Sequence, residues 1–331
     1  LSVGADESPD LIMGNWEGQW KNESGESGKV TAQIVALGGD EYLGVVTIHS
    51  PDASRSKSVR IPMPGKREGD DITFTGTTDL GEEFGGVTEW VATIRSGNYA
   101  CRYKNARSAG TSEMRRVLKK PPTLGAKPPE GAIVLFDGSS LDEWTHRDGH
   151  QVVWEIKNGA MEVARKTIDG KSVGGDIVTK RHFGDHQLHI EFRTPLMPKA
   201  RGQGRGNSGV YIAGRHEVQV LDSFGEPPRD NEAGGIYSQA TPRVNAALPP
   251  GEWQAYDITF AAARFNDSGQ MIKPAVISVD YNGERIHDHV ELSKPTPGGV
   301  DSDMTKPGGL LLQDHGNPVQ FRNIWVLPLR E

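Results

Sequence analysis

In the stretch GRHEVQVLDSFG, residues 214–225, Glu217, Gln219 and Asp222 stand at spacings of two and three. Carboxylates gathered in a cleft are the usual acid and base groups of bond cleavage. A strand repeats its faces every second residue, so Glu217 and Gln219 share a face while Asp222 points away. One extra residue, a bulge near Leu221, would restore the phase and line up all three groups opposite the apolar Val218 and Val220. Burying such a polar row costs energy unless it serves a site or is fully hydrogen-bonded. A second set lies in GLLLQDHGNPVQFRNIWV, residues 309–326. There Gln313 and His315 share parity, Asp314 faces away, and His315 precedes a glycine at a strand end. An imidazole that titrates near pH ~6.5 can give or take a proton at neutral pH. Arg322 and Asn323 occupy opposite faces of the last strand, so Arg322 either enters the groove or partners a buried carboxylate.

Other stretches carry weaker chemistry. GRGNSG (204–209) has the G-x-G-x-x-G spacing, but the strand-like VYIAG follows it instead of a helix, so the phosphate-cradling geometry is missing. His287 and His289 in HDH lack a third ligand and read as surface residues after a hairpin. HRDGH (146–150) reads as a polar loop that either contacts substrate or is a solvated turn. Cys101 is the single cysteine. It has no disulfide or thiolate partner, and within the strand pattern of GNYACRYKN it reads as a small buried hydrophobe.

These residues must be carried by strands. Gly 41 and Pro 21 give a high turn load, and the apolar runs are rich in β-branched and aromatic residues, which argues for an all-β chain. The stretch LKKPPTLGAKPPEGA (118–132) marks a boundary and predicts two domains, 1–125 and 126–331. Before it, six short alternating segments from KVTAQIVAL to SEMRRVL predict a meander of five to eight strands, closed or nearly closed into a small barrel. Trp16 and Trp20 share parity there and read as a core plug, with sugar stacking as the functional alternative. After it, Asn-Gly pairs at 158–159 and 282–283 predict hairpins. About a dozen strands fit a two-sheet jelly roll. No helix longer than a turn or two is predicted.

A formal net charge of −7 with acids and bases well mixed argues against a nucleic-acid surface. No apolar run approaches the ~20 residues of a membrane-spanning helix. The opening LSVGADESPD, without Met or an apolar run, reads as a trimmed start and leads to the expectation of a secreted or periplasmic protein.

Six stretches recur in order over 130–330: VLFDGSSLDEW, NSGVYIAGRHEVQVLDSFG, GGIY, EWQAYDITF, YNGERIHD and LLLQDHGNPVQFRNIWV. Through them the C-terminal part resembles the 3-keto-disaccharide hydrolase family, a former domain of unknown function with a glucanase-like fold. The resemblance implies a concanavalin A-like jelly roll. Glucanases of that shape can carry a bulged Glu-x-Asp-x-x-Glu strand, where this chain has Glu217, Gln219 and Asp222. The substitutions remove the middle acid and shorten the last, so direct two-carboxylate hydrolysis is disfavoured. A 3-keto sugar does not need that mechanism, because its ketone acidifies the C2 proton and permits β-elimination followed by hydration. The implied set is Glu217, Asp222 and His315 as catalytic groups, with Gln219, Gln313, Tyr211, Asn207 and Arg322 contacting substrate. A divalent cation in the groove is an open possibility under this reading. The expected partner is a glycoside or oligosaccharide. A non-catalytic sugar-binding module and a direct glucanase-like glycosidase are the alternatives.

Overall fold

The computed structural model describes residues 10–49, 58–82 and 85–329. The segment 1–9, read above as a trimmed start, lies outside the described residues. The chain divides into two compact units, Leu1–Lys119 and Lys120–Glu331.

The first unit is a closed up-and-down barrel of β1 (Gly14–Asn22), β2 (Ser27–Gly38), β3 (Glu41–His49), β4 (Ser58–Glu68), β5 (Asp71–Asp79), β6 (Val87–Arg95), β7 (Asn98–Lys104) and β8 (Ala109–Val117). Each strand pairs with the next, and β8 returns to β1. Closure leaves no free edge to aggregate. Alternation does the sorting: Ile72 and Phe74 on β5, and Trp90, Ala92 and Ile94 on β6, are buried between half-buried or exposed neighbours. Trp16 is 1% exposed and fills the interior. Trp20 is half-buried, and its indole lies where a side chain on Gly28 would have to go. Burial pushes the Cys101 thiol up to about 11, so it is an unreactive core group.

The second unit runs β9 (Ile133–Phe136), β10 (Trp144–His146), β11 (Glu155–Lys157), β12 (Ala160–Glu162), β13 (Lys166–Ile168), β14 (Lys171–Val173), β15 (Ile177–Thr179), β16 (His186–Arg193), β17 (Ser208–Ile212) and β18 (His216–Val220). It continues with β19 (Gln254–Ala261), β20 (Arg264–Phe265), β21 (Met271–Lys273), β22 (Ala275–Tyr281), β23 (Glu284–Leu292), β24 (Leu311–Leu312) and β25 (Gln320–Pro328). Two sheets result. One has the order β10-β15-β24-β17-β18, the other β11-β12-β25-β16-β19-β22-β23 with β9 also on β25. As expected, the hairpins turn at Asn158-Gly159 and Asn282-Gly283, where all four φ angles are positive. That is the conformation a tight two-residue turn demands and Asn-Gly tolerates.

The core lies between the sheets. Leu188, Ile190 and Phe192 of β16 belong to the same apolar cluster as Val210 and Ile212 of β17, Val218 and Val220 of β18, Ile177 and Leu312. Period-2 alternation therefore turns Gly209, Tyr211, Glu217, Gln219 and Leu311 to the outer face of the five-stranded sheet. On the other sheet it turns His189 and Glu191 outward. There the segment 121–126 lies across them. Thr123 Oγ1 donates to Asp257 at 2.6 Å, the Gly125 N–H to Glu191 at 2.5 Å, and Asn323 Nδ2 to Ala126 O at 3.0 Å. The proline-rich boundary is thus bonded to the second unit along these residues. Among the described residues no helix is long and apolar enough to cross a membrane.

Candidate active site

Antiparallel register places Tyr211 opposite Glu217 and Gly209 opposite Gln219. Leu311 lies beside Tyr211, so Gln313, two residues on, continues that face. Leu312 pairs with Ile177, which brings Asp176 to the same face beside Gln313. Three segments close over this surface. Residues 234–237 hydrogen-bond along β18, with Gln219 N to Gly235 O and Gly234 N to Gln219 O, both at 2.9 Å. Thr296 accepts from the Glu217 N–H at 3.1 Å. The loop before β17 brings Gln203 to within 3.0 Å of the Gln219 amide.

Glu217 is the centre. It is 3% exposed, and Tyr211 donates to its Oε2 at 2.9 Å. Gln313 Nε2 lies 3.4 Å from the Tyr211 oxygen, extending the chain Gln313–Tyr211–Glu217. A methyl group on Gly209 would meet Glu217 Oε1 at 2.3 Å, so only glycine lets the carboxyl fold across β17. Burial pushes the Glu217 carboxyl up to about 7; the Tyr211 hydrogen bond opposes this and the nearby Asp176 charge reinforces it. Burial also raises Asp176 and holds the Tyr211 hydroxyl protonated. Asp176 is oriented by the Asp314 N–H at 2.9 Å, and Arg147 lies 3.8 Å from its carboxylate. Arg147 in turn donates to Gly298 O at 2.9 Å. HRDGH therefore supplies Arg147 to the site, whereas His146 is buried and bonded to backbone, with Nδ1 3.2 Å from Asp176 O and Nε2 accepting from the Val153 N–H at 3.1 Å.

The remaining candidates fall in three places. Asn207 is buried at the rim, its N–H bonded to Asn317 Oδ1 at 2.8 Å and its Nδ2 to Gln203 O at 2.7 Å. His315 is exposed, on a loop tied to the site at both ends through Gln313 and Asn317. Asp222 has a different environment. The β17/β18 ladder ends without a bulge at Val220, and the Asp222 N–H turns aside to Arg205 O at 3.0 Å. Its side chain is buried against Arg205, Nε to Oδ2 at 2.6 Å. The postulated bulge at Leu221 is absent because the chain leaves the strand there. Arg322 takes the second of its two readings. It donates to the buried Glu191 at 2.7 Å and stacks 4.0 Å from the Trp253 ring centre, on the outer face of the other sheet. It is therefore across the sandwich from Glu217. The HDH reading also needs correction. His289 is exposed, but His287 is 2% exposed and its Nε2 lies 2.7 Å from Gly234 O, bracing the segment that covers β18.

Asp176 was missed in the sequence because it stands just before a strand only three residues long, which lacks a readable alternation. Gln203 was missed because it lies in a loop, where side-chain direction has no period. Among the described residues no three carboxylate, imidazole or thiol groups gather as a metal cage. Glu217 and Asp176 are the carboxylates on this face that a divalent cation would use, the rest of its oxygens coming from substrate and water. GRGNSG leads straight into β17 with no helix, which leaves no phosphate cradle.

Residues 131–327 match the family model described as 3-keto-alpha-glucoside-1,2-lyase-like domain. The chain is similar to a crystal structure of a glycosyl hydrolase candidate from Parabacteroides distasonis, with 37% identity, TM-score 0.54, and coverage of 61% of this chain and 85% of that one. A second such protein from the same organism shares 22% identity over 61% of this chain and 95% of that one, at TM-score 0.41. The chain is also similar to a de novo designed fluorescence-activating β-barrel, at 19% identity and TM-score 0.25 over 32% of this chain and 94% of that one. No curated protein matches the chain.

Proposed function

The chain belongs to the 3-keto-alpha-glucoside-1,2-lyase-like family, and from that premise we propose that its second unit cleaves 3-keto-glycosides by elimination. The observation that carries this reading is Glu217: a buried carboxyl moved by burial to about 7, set on a polar sheet face beside a second carboxyl, Asp176. Proton transfer at neutral pH is most efficient when the group titrates near that pH.

The chemistry needs a base, an acid and support for an oxyanion. The base removes the C2 proton, and the electron pair of that bond forms the enolate of the C3 ketone. The enolate collapses, the C1–O bond breaks, and the leaving oxygen takes a proton from the acid. Water adding to the resulting enone completes a net hydrolysis. Glu217, Asp176 and, from the rim, His315 are the groups able to move these protons. Gln313 offers its amide to sugar oxygens, whereas the buried Asn207 and Gln219 amide nitrogens are bonded to Gln203 and position the site. Asp222, bonded to Arg205, serves the loop that carries Gln203. A direct glycosidase is disfavoured because Gln219 stands where a second strand carboxylate would be required. A binding module is disfavoured by the cost of burying Glu217 without a use for it.

The test is a pair of glycosides with one aglycone, the first oxidised at C3 and the second not. Release of aglycone from the 3-keto compound alone is expected. Equal release from both favours the direct glycosidase, and binding without release favours the module.

A further inference from the structure

The amide groups behind Glu217 have a direction. Gln203 Nε2 donates to the Asn231 backbone carbonyl at 2.8 Å, and Asn207 Nδ2 lies 3.2 Å from Gln203 Oε1. A carbonyl can only accept, so the Gln203 amide is pinned with its nitrogen toward Asn231 and its oxygen toward Gln219. Gln219 Nε2 then donates to Gln203 Oε1 at 3.0 Å, with Asn231 O at 3.4 Å. That leaves the Gln219 oxygen facing Glu217 Oε1 and Ser208 O, each at 3.0 Å. Turning the Gln219 amide over would let its nitrogen donate to those two atoms. It would also set its oxygen against Gln203 Oε1 and Asn231 O, two acceptors that cannot change. In the first arrangement one of the two opposing oxygens, that of Glu217, can acquire a proton and become a donor. The first arrangement therefore leaves one unmatched contact and the second leaves two.

We propose that Asn231 O, Gln203 and Gln219 form a hydrogen-bond chain of fixed direction, ending in an oxygen that faces Glu217 and holds it as the protonated acid. Gln203, acting through Gln219, is a positioning residue, and Glu217 is the proton donor to the leaving oxygen. The donor role rests on the elimination reading; the direction of the chain does not. With a proton on Oε1, Glu217 donates to Gln219 and accepts from Tyr211 at Oε2, so both carboxyl oxygens are engaged. The other titratable groups facing this cluster are Asp176, ahead of β15, and Tyr237 of the covering segment, which faces Tyr211. Asp176 opposes ionisation of Glu217 from across the site.

The test titrates the Glu217 side-chain carboxyl by carbon NMR in the full chain, with substrate absent. In Gln203→Leu the Gln219 amide is free to turn and donate to an ionised Glu217, and the midpoint should fall by about one pH unit, the size of a charge-assisted hydrogen bond. Gln203→Glu keeps an acceptor toward Gln219 and should leave the midpoint unchanged or higher. Gln203→Met, closer in volume, repeats the first measurement if the Leu variant unfolds. With a 3-keto-glycoside, the alkaline limb of the rate profile should move by the same amount and in the same direction. An unchanged midpoint in Gln203→Leu and Gln203→Met, or an equal fall in Gln203→Glu, overturns the chain. A protein inactive on every 3-keto-glycoside whose Glu217 midpoint follows these variants overturns the elimination reading instead and leaves the chain standing.

Discussion

Replacing Glu217 by glutamine should make the second unit more stable while removing its activity. The wild-type carboxyl goes from an ordinary 4.5 to about 7 on folding. That difference, about 2.5 pH units at ~1.36 kcal/mol each, is about 3 kcal/mol. The sign follows from proton binding. Between pH 4.5 and 7 the folded state holds a proton that the unfolded state has released, so wild-type stability falls as pH rises through this window and levels off above it. An amide does not ionise, and its NH₂ can donate to the Gln219 oxygen as the protonated acid does. Glu217→Gln should therefore match wild type below pH 4.5 and gain on it as pH rises to 7. At pH 8 the gain should be about 3 kcal/mol. For a unit of this size that is a rise in Tm of about 6–12 °C. The assay is thermal unfolding of both proteins from pH 4 to 8.5, following the transition of the second unit, with urea unfolding as a check. A variant no more stable at pH 8, or one whose gain is the same at pH 4 and pH 8, would falsify the claim that burial holds this carboxyl up.

Four further outcomes follow from the same geometry. Gly209→Ala puts a carbon 2.3 Å from Glu217 Oε1, and the displaced carboxyl should lower the elimination rate by ~10² with the fold retained by circular dichroism. Asp222→Ala leaves Arg205 buried without its carboxylate and should cost ~3–5 kcal/mol in urea unfolding; a stable, inactive variant would instead place Asp222 in the chemistry. His315→Ala should fold normally, and a fall in rate of ~10²–10⁴ is expected if it moves a proton from the rim; full activity removes it from the mechanism. Limited proteolysis should spare 121–126, which are bonded to Asp257 and Glu191, with mass spectrometry locating any cut; cleavage inside that segment of the native protein contradicts its docking.

The sequence was most readable where a period governs direction. Alternation along β5, β6, β17 and β18 was enough to call the barrel and to put Glu217 with Gln219, and the Asn-Gly pairs marked their hairpins. It was least readable one step past a strand end. Asp222 was read by extending the period of β18 through a bulge, whereas the backbone turns away after Val220 to meet Arg205. His287 defeated a composition argument for a different reason. Parity alone would give His287 and His289 one face, but a bulge in β23 between His287 and Val290, with His289 at a positive φ, leaves His289 outside while the His287 imidazole meets a backbone carbonyl. Arg322 could not be assigned to a face until the partner strand was known, because register with Glu191 is a property of two distant segments.

The position of β25 constrains how the protein can be assembled during synthesis. Every barrel strand pairs with its neighbour in sequence, and the ring closes once β8 meets β1. That part can fold while the rest of the chain is still being made. The second unit cannot do the same. Gln320–Pro328 forms the centre of its larger sheet, between β12 and β16 and paired also to β9. Until those residues leave the ribosome, β16 lacks one partner and β9 and β12 have no place in the sheet. Such late, long-range pairing is slow and leaves strand edges exposed meanwhile. The second unit is therefore where a truncated product would aggregate, and a nascent chain stalled before residue 320 should already carry a protease-resistant barrel.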